Sequence, residues 1–267
     1  MPAVPFDELP APVREAVEAC AGAFGPTRAV GVGGDGGAVL VLGADRGDVL
    51  VRAVPGPAAT AADEAVADLL PGVCPRVSWR AHADGWTVLG YAGVGGRCAD
   101  YSSAADLVLV LRALAEVQGA AAPGANGLAT AEEHWGAYAE PGEAELFRGD
   151  TLLHAGWDPG DVLIDDGRVR LVGWGRALRG AAWIDPFLLA LRIMAAGETA
   201  PRAVSWVQRA ASWRASEPEA VGAFATAVDR YWRETAAADP APWRAAAAVH
   251  AEQLKKFLVS TPWAVRP

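Results

Sequence analysis

The chain has 267 residues, with 32 Asp and Glu against 23 Lys and Arg and a formal net charge of −9. That acidic balance excludes non-specific nucleic-acid binding, which needs Lys and Arg against phosphates, and a polybasic contact with a membrane surface. Hydrophobic residues make up 52%, enough for a large core and too many for global disorder.

Lys occurs only at Lys255 and Lys256. Cys20, Cys74 and Cys98 are odd in number, and their spacing fits neither a disulfide framework nor a zinc site, so reduced thiols are expected. The first residues carry no basic segment followed by an apolar one, and no apolar run reaches the length of a membrane span. A soluble, cytoplasmic protein is expected.

Residues 10–24 predict an amphipathic helix, followed by β-type runs at 28–33, 38–42 and 49–54 with Gly- and Asp-rich punctuation before the last. Residues 60–70 predict a helix. Runs at 77–81 and 86–91 predict a hairpin around Asp84-Gly85. Residues 92–96 are small and Gly-rich, as a hinge would be, and divide the chain into domains 1–95 and 96–267.

In 106–117 the residues Leu107, Val110, Leu111, Leu114 and Val117 share one helical face. A Pro/Gly/Ala loop spans 120–129, and helical segments are predicted at 131–138 and 143–147. Runs at 162–164 and 169–172 form a hairpin closed by Asp165-Asp166-Gly167-Arg168. Asp185-Pro186 looks like an N-cap followed by Pro at the first helical position. Helices at 201–213, 217–237 and 241–258 complete an α-rich second half. The expected fold class is mixed α/β, of the α+β kind.

The most informative stretch is His154-Ala155-Gly156-Trp157-Asp158-Pro159-Gly160-Asp161-Val162-Leu163-Ile164, then the Asp-Gly hairpin, then Leu171-Val172-Gly173-Trp174. It resembles the catalytic segment of the aminoglycoside phosphotransferase family, L-L-H-x-D-x-x-P-x-N-V-L-[IV] followed by a Gly turn and [LV]-[VI]-D-W. The likeness continues through residues 179–186 and spans residues 10–260 in all. It implies a two-lobed, protein-kinase-like fold, with a small, mostly antiparallel β N-lobe and an α-rich C-lobe.

In such enzymes the loop Asp contacts the substrate hydroxyl, while the Asn and a second Asp hold magnesium beside ATP. Carried over by position, the base is Gly156, the Asn is Asp161 and the metal-binding Asp is Gly173. Arg52 stands where the phosphate-holding Lys belongs, and Glu64 resembles the Glu that pairs with it. Gly156 cannot accept a proton, and loss of a general base costs about 10²–10⁴-fold. Gly173 removes a metal carboxylate, and Arg52 is bulkier and forked where Lys is a point charge.

The resemblance therefore implies a pseudokinase, a phosphotransferase homologue that does not use the family's ATP and magnesium. It would act as a binding module or as the subunit of a complex, with a small-molecule ligand or a protein partner. The alternative is an enzyme of a biosynthetic pathway doing other chemistry on a small molecule. Its acid/base candidates are His154, Asp158 and Asp161, with Arg52, Glu64, Trp157, Trp174 and Trp183 lining the pocket. A residual ATP-dependent phosphotransferase is a third reading.

Plainer roles stand beside these. Asp158 makes a turn with Pro159-Gly160, His154 braces its loop through a buried hydrogen bond, and the Trp side chains pack in the core. The glycine run 31–37 matches G-x-G-x-x-G, but no helix follows it, so it reads as a phosphate-covering hairpin or a tight turn.

Overall fold

The computed structural model describes residues 4–32, 37–44, 47–56, 60–120 and 128–261. Positions 33–36 of the glycine run and 121–127 of the Pro/Gly/Ala loop lie outside the described residues. In chain order the elements are α1 (Ala11–Ala21), β1 (Thr27–Val32), β2 (Ala38–Leu42), β3 (Val49–Pro55), α2 (Thr60–Leu69), β4 (Trp79–Ala83), β5 (Trp86–Ala92), β6 (Arg97–Cys98) and α3 (Ala104–Gly119). They continue as α4 (Ala131–Trp135), β7 (Thr151–Leu153), β8 (Val162–Asp165), β9 (Arg168–Leu171), β10 (Leu178–Gly180), α5 (Ile184–Ala195), α6 (Ala200–Val207), α7 (Ala211–Arg214), α8 (Pro218–Ala238) and α9 (Pro242–Ser260). Short 3-10 turns fill several junctions, among them Pro159–Asp161 and Trp174–Arg176. The mixed α/β class is as expected. No helix among the described residues is long and apolar enough to cross a membrane.

The chain divides into two compact units: Met1–Asp100 with Trp157–Arg176, and Tyr101–Gly156 with Ala177–Pro267. These are not the contiguous halves 1–95 and 96–267. The hairpin β8–β9 groups with the N-terminal strands because β8 pairs with β6, and because the Leu171 amide donates to Val73 O at 2.9 Å.

The first unit is built on an antiparallel sheet in the order β1-β2-β3-β5-β4. The unbroken apolar run of β2 is buried along its whole length, the pattern of a strand covered on both faces. Leu40, Leu42, Val51 and Ala53 pack with Phe6, Val13 and Val17 in one core. Val39, Val41, Leu50, Leu89 and Tyr91 pack with Leu163 and Val172 in the other. The turns of the β4–β5 and β8–β9 hairpins each place two residues at positive φ, Asp84 at 49° with Gly85 at 75° and Asp166 at 48° with Gly167 at 71°, as two-residue type I′ turns require. That geometry fixes Ala83 opposite Trp86 and moves the fourth strand two residues past the expected 77–81. Trp79 then lies over Gly90, where a Cβ would collide with the indole.

The second unit is mainly helical, with a two-stranded sheet of β7 and β10. Ser103 caps α3 by accepting from the Asp106 amide, and Thr130 with Glu133 forms a capping box on α4. The predicted helix 131–138 is α4 followed by a 3-10 turn, residues 143–147 are 3-10, and the predicted 201–213 is split into α6 and α7. Phe224 on α8 is the hub of the core: Trp135, Phe147, Trp183 and Phe187 meet it edge-on with centroids 4.9, 5.1, 5.4 and 5.0 Å away. Edge-to-face stacking adds to the apolar area these rings bury.

Candidate functional site

Strand alternation places Arg52 on the face of β3 that carries Leu50, within the second core, where it is 3% exposed. A guanidinium there needs a partner. It finds Asp161, 1% exposed, with Nη2 3.1 Å from Oδ1. Asp161 closes the 3-10 turn Pro159–Asp161, its amide donating to Asp158 O at 2.9 Å. The Asp158 turn is thus present, but the side chain does more. Arg176 Nη2 lies 2.6 Å from Asp158 Oδ2 and 3.5 Å from Asp161 Oδ2. Asp161 therefore has a different arginine on each oxygen.

Gly173 stands against this pair with φ +82°. A Cβ there would lie 2.5 Å from Asp161 Oδ1 and 2.8 Å from Arg52 Nη2. The space in which a residue-173 carboxylate would begin is filled by the ion pair. A second close approach lies at Gly31 on β1, whose Cβ would come 2.8 Å from Cys98 Sγ and 3.1 Å from Gly160 Cα. The Cys98 thiol donates to Val30 O at 2.7 Å. Burial pushes it up to about 11, and the Asp161 charge adds to that, so the thiol keeps its proton near neutrality.

Asp63 of α2 reaches this region. Its Oδ1 accepts from the amides of Gly173 at 3.2 Å and Trp174 at 3.3 Å, and from the Tyr91 hydroxyl at 3.4 Å. Burial raises its pKa, opposed by the positive charge of Arg52 and by these hydrogen bonds. The sequence held a signal for this: buried Val66, Ala67 and Leu70 lie at i+3, i+4 and i+7 from Asp63, the spacing of one helical face. The side chain of Glu64 lies outside the described residues.

In the second unit the apex of the expected catalytic loop is held by Asp185. The fully buried His154 donates its main-chain amide to Asp185 Oδ2, and Ala155 donates to Oδ1, both at 2.9 Å. Ala155 has φ 56°, and Gly156 O accepts from Arg192 Nε at 3.3 Å. Asp185 is not the N-cap of its helix. Trp183 occupies that position, and Asp185 sits in the first turn of α5, where its carboxylate satisfies the loop amides.

Trp157, at φ 57°, and Trp174 are 0% and 1% exposed, while Trp183 stacks on Phe224. All three are core side chains. Of the sequence-predicted residues, Arg52, Asp158, Asp161 and Gly173 converge in the first unit, while His154 and Gly156 belong to the second. Asp63 and Arg176 were not singled out from sequence, and Asp185 was read only as a helix cap.

Magnesium takes near-octahedral oxygen ligands, commonly one or two carboxylates with waters and phosphates. Here Asp161 faces two guanidinium groups, and position 173 offers neither a carboxylate nor room for one. These residues do not fit magnesium.

No protein-family profile matches the chain, and no curated protein matches it in sequence. Its fold is similar to that of solved phosphotransferases. A thermostable mutant of aminoglycoside phosphotransferase APH(4)-Ia, in ternary complex with AMP-PNP and hygromycin B, aligns with TM-score 0.65 at 14% identity, over 94% of this chain and 99% of that one. A choline/ethanolamine kinase family protein from Mesorhizobium loti aligns with TM-score 0.60 at 17% identity, over 94% and 96%. Spectinomycin phosphotransferase APH(9)-Ia, in complex with ADP and spectinomycin, aligns with TM-score 0.60 at 9% identity, over 99% of each. The chain has the aminoglycoside-phosphotransferase, kinase-like fold.

Proposed function

From that fold as premise, we propose that the protein is a pseudokinase: it keeps a phosphotransferase frame, does not transfer phosphate, and acts by binding. The observation that carries this reading is the packing of Gly173 against the buried Arg52–Asp161 pair. Phosphoryl transfer depends on positioning and on neutralising phosphate charge with metal and a cation. Here the cation of β3 is spent on a carboxylate of its own chain, and that carboxylate is withdrawn from any metal. Gly156 leaves the base position empty of a side chain as well.

The binding reading rests on the fold alone. Two similar structures were solved with AMP-PNP and hygromycin B and with ADP and spectinomycin, which makes a small molecule the first class of ligand to test and a protein partner the second. Acid/base chemistry at Asp158 or Asp161 is disfavoured, because both carboxylates are engaged by guanidinium groups.

Titration calorimetry with ATP and magnesium is the direct test. No heat of binding is expected at millimolar nucleotide. Tight, magnesium-dependent binding of ATP would overturn the proposal. A thermal-shift screen over aminoglycosides and other small polar cations addresses the ligand class in parallel.

A further inference from the structure

The glycine run 31–37 takes no part in the site described above. Its first residue, Gly31, lies on β1 in the first unit. The pairing of β1 with β2 slips between Ala29 and Gly31, which stand opposite Leu40 and Val39. Val30 is thus the extra residue of a bulge, which bends its strand and takes that residue out of the ladder. A carbonyl released from a ladder needs another donor. Val30 O receives the Cys98 thiol at 2.7 Å, and Arg28 Nη2 donates to Gly96 O at 2.6 Å. Two bonds therefore tie β1 to the segment 96–98.

The turn Pro159–Asp161 lies against the same stretch of β1. A Cβ on Gly31 would come 2.8 Å from Cys98 Sγ, 3.1 Å from Gly160 Cα and 3.6 Å from Gly160 N. The backbones of β1 and of the turn are in van der Waals contact, with no layer of atoms between them. Val30 and Cys98 also pack on the core that holds Leu163 and Val172. Gly31 has no positive φ, so the glycine answers to this contact and not to backbone conformation.

In protein kinases a glycine-rich loop covers the phosphates of the nucleotide, so that the ligand lies beneath it. We infer that β1 is instead an autoinhibitory cover: seated directly on the turn Pro159–Asp161 and held by Cys98 and Arg28, it takes the ground that phosphates would need, and Gly31 is glycine to seat it. The inference deepens the pseudokinase proposal and rests on the same fold, but it concerns β1 alone. An anionic group reaches the turn only when β1 lifts, and lifting breaks the thiol bond to Val30 O and uncovers Cys98.

Cys98 is thus the reporter. Burial pushes its thiol up to about 11, and the thiolate is the form that is alkylated. Modification of Cys98 by iodoacetamide, followed by peptide mass spectrometry so that Cys20 and Cys74 are read separately, should be slow in the wild-type protein. Gly31→Ala puts a methyl group against Cys98 Sγ and the turn. It should speed Cys98 modification by about ten-fold or more, because each unit of lowered pKa gives about ten-fold more thiolate. Cys98→Ala adds no atom and removes the thiol bond, so it tests the cover without crowding it. Hydrogen exchange at residues 28–31 should then be faster by about five-fold.

A folded Gly31→Ala whose Cys98 reacts at the wild-type rate overturns the inference, and so does unchanged exchange at 28–31 in Cys98→Ala. Adding ATP to the wild-type protein separates the cover from the pseudokinase proposal. Binding that speeds Cys98 modification overturns the pseudokinase proposal and supports the cover, whereas binding that leaves Cys98 protected overturns both. No binding, with Cys98 modified as fast as the exposed Cys20, overturns the cover and leaves the pseudokinase proposal standing.

Discussion

Gly173 has φ +82° and a neighbouring ion pair where its side chain would begin. Positive φ costs an L-residue about 1–2 kcal/mol, and overpacking a tight site about 1–3 kcal/mol. Gly173→Ala should therefore destabilise the protein by about 2–5 kcal/mol in urea denaturation. A change within error would show that the pair moves aside freely. Asp63 offers a test of sign. Its folded pKa lies above the ordinary 3.8, chiefly from burial, so its contribution to stability is fully present below 3.8 and is lost as pH rises through the folded value. The substitution Asp63→Asn would keep an oxygen for the Gly173, Trp174 and Tyr91 donors without ionising. The melting temperature of Asp63→Asn minus that of wild type should thus grow as pH is raised from about 4 toward neutrality. A difference that shrinks would reverse the assignment. Sequence made Gly156, Gly173 and Arg52 legible because each departs from a fixed frame. The inward placement of Asp63 was available from helical phase. Arg176 was not, since nothing in a one-dimensional pattern says that an arginine closing a 3-10 turn reaches back to two carboxylates.

At the scale of elements, the long periodic segments were readable and the short ones were not. Strands β6, β7 and β10 have two or three residues each, below the length at which alternation can be recognised, and they exist because partners distant in sequence supply their hydrogen bonds. The helix pattern ran through 201–213 because apolar spacing survives a break between α6 and α7. Asp185 shows how tertiary structure reassigns a local signal. An Asp before a Pro at a helix start reads as a cap, yet its two oxygens serve the amides of His154 and Ala155. Buried amides that lose a charged acceptor cost about 1–3 kcal/mol each. Asp185→Ala should lower stability by about 2–6 kcal/mol and speed amide exchange at residues 154 and 155. Unchanged exchange there would exclude this carboxylate as the loop's anchor.

The whole molecule is organised by a discontinuous path of the chain. The chain leaves the first unit after Asp100 and re-enters it at Trp157, a return that no local pattern announces. Leu163 and Val172, at 0% and 1% exposure, complete the core that faces Val39, Leu50 and Leu89. Burying each aliphatic side chain contributes about 1.5–3 kcal/mol. A fragment of residues 1–100 should melt without cooperativity, and the same fragment joined to residues 157–176 by a flexible linker should recover a cooperative transition by circular dichroism. Equal melting of the two would show that the N-terminal sheet is self-sufficient.

The contact of Gly173 with Arg52 and Asp161 also governs the order in which substitutions can accumulate. An aspartate introduced at 173 alone meets the occupied space, whereas the same change after Arg52→Lys and Asp161→Asn meets a smaller cation and a neutral amide. The three positions are therefore epistatic, and their substitution energies will not add. A path toward an aspartate at 173 is eased when it begins at Arg52 or Asp161, and a path that begins at Gly173 runs uphill from its first step.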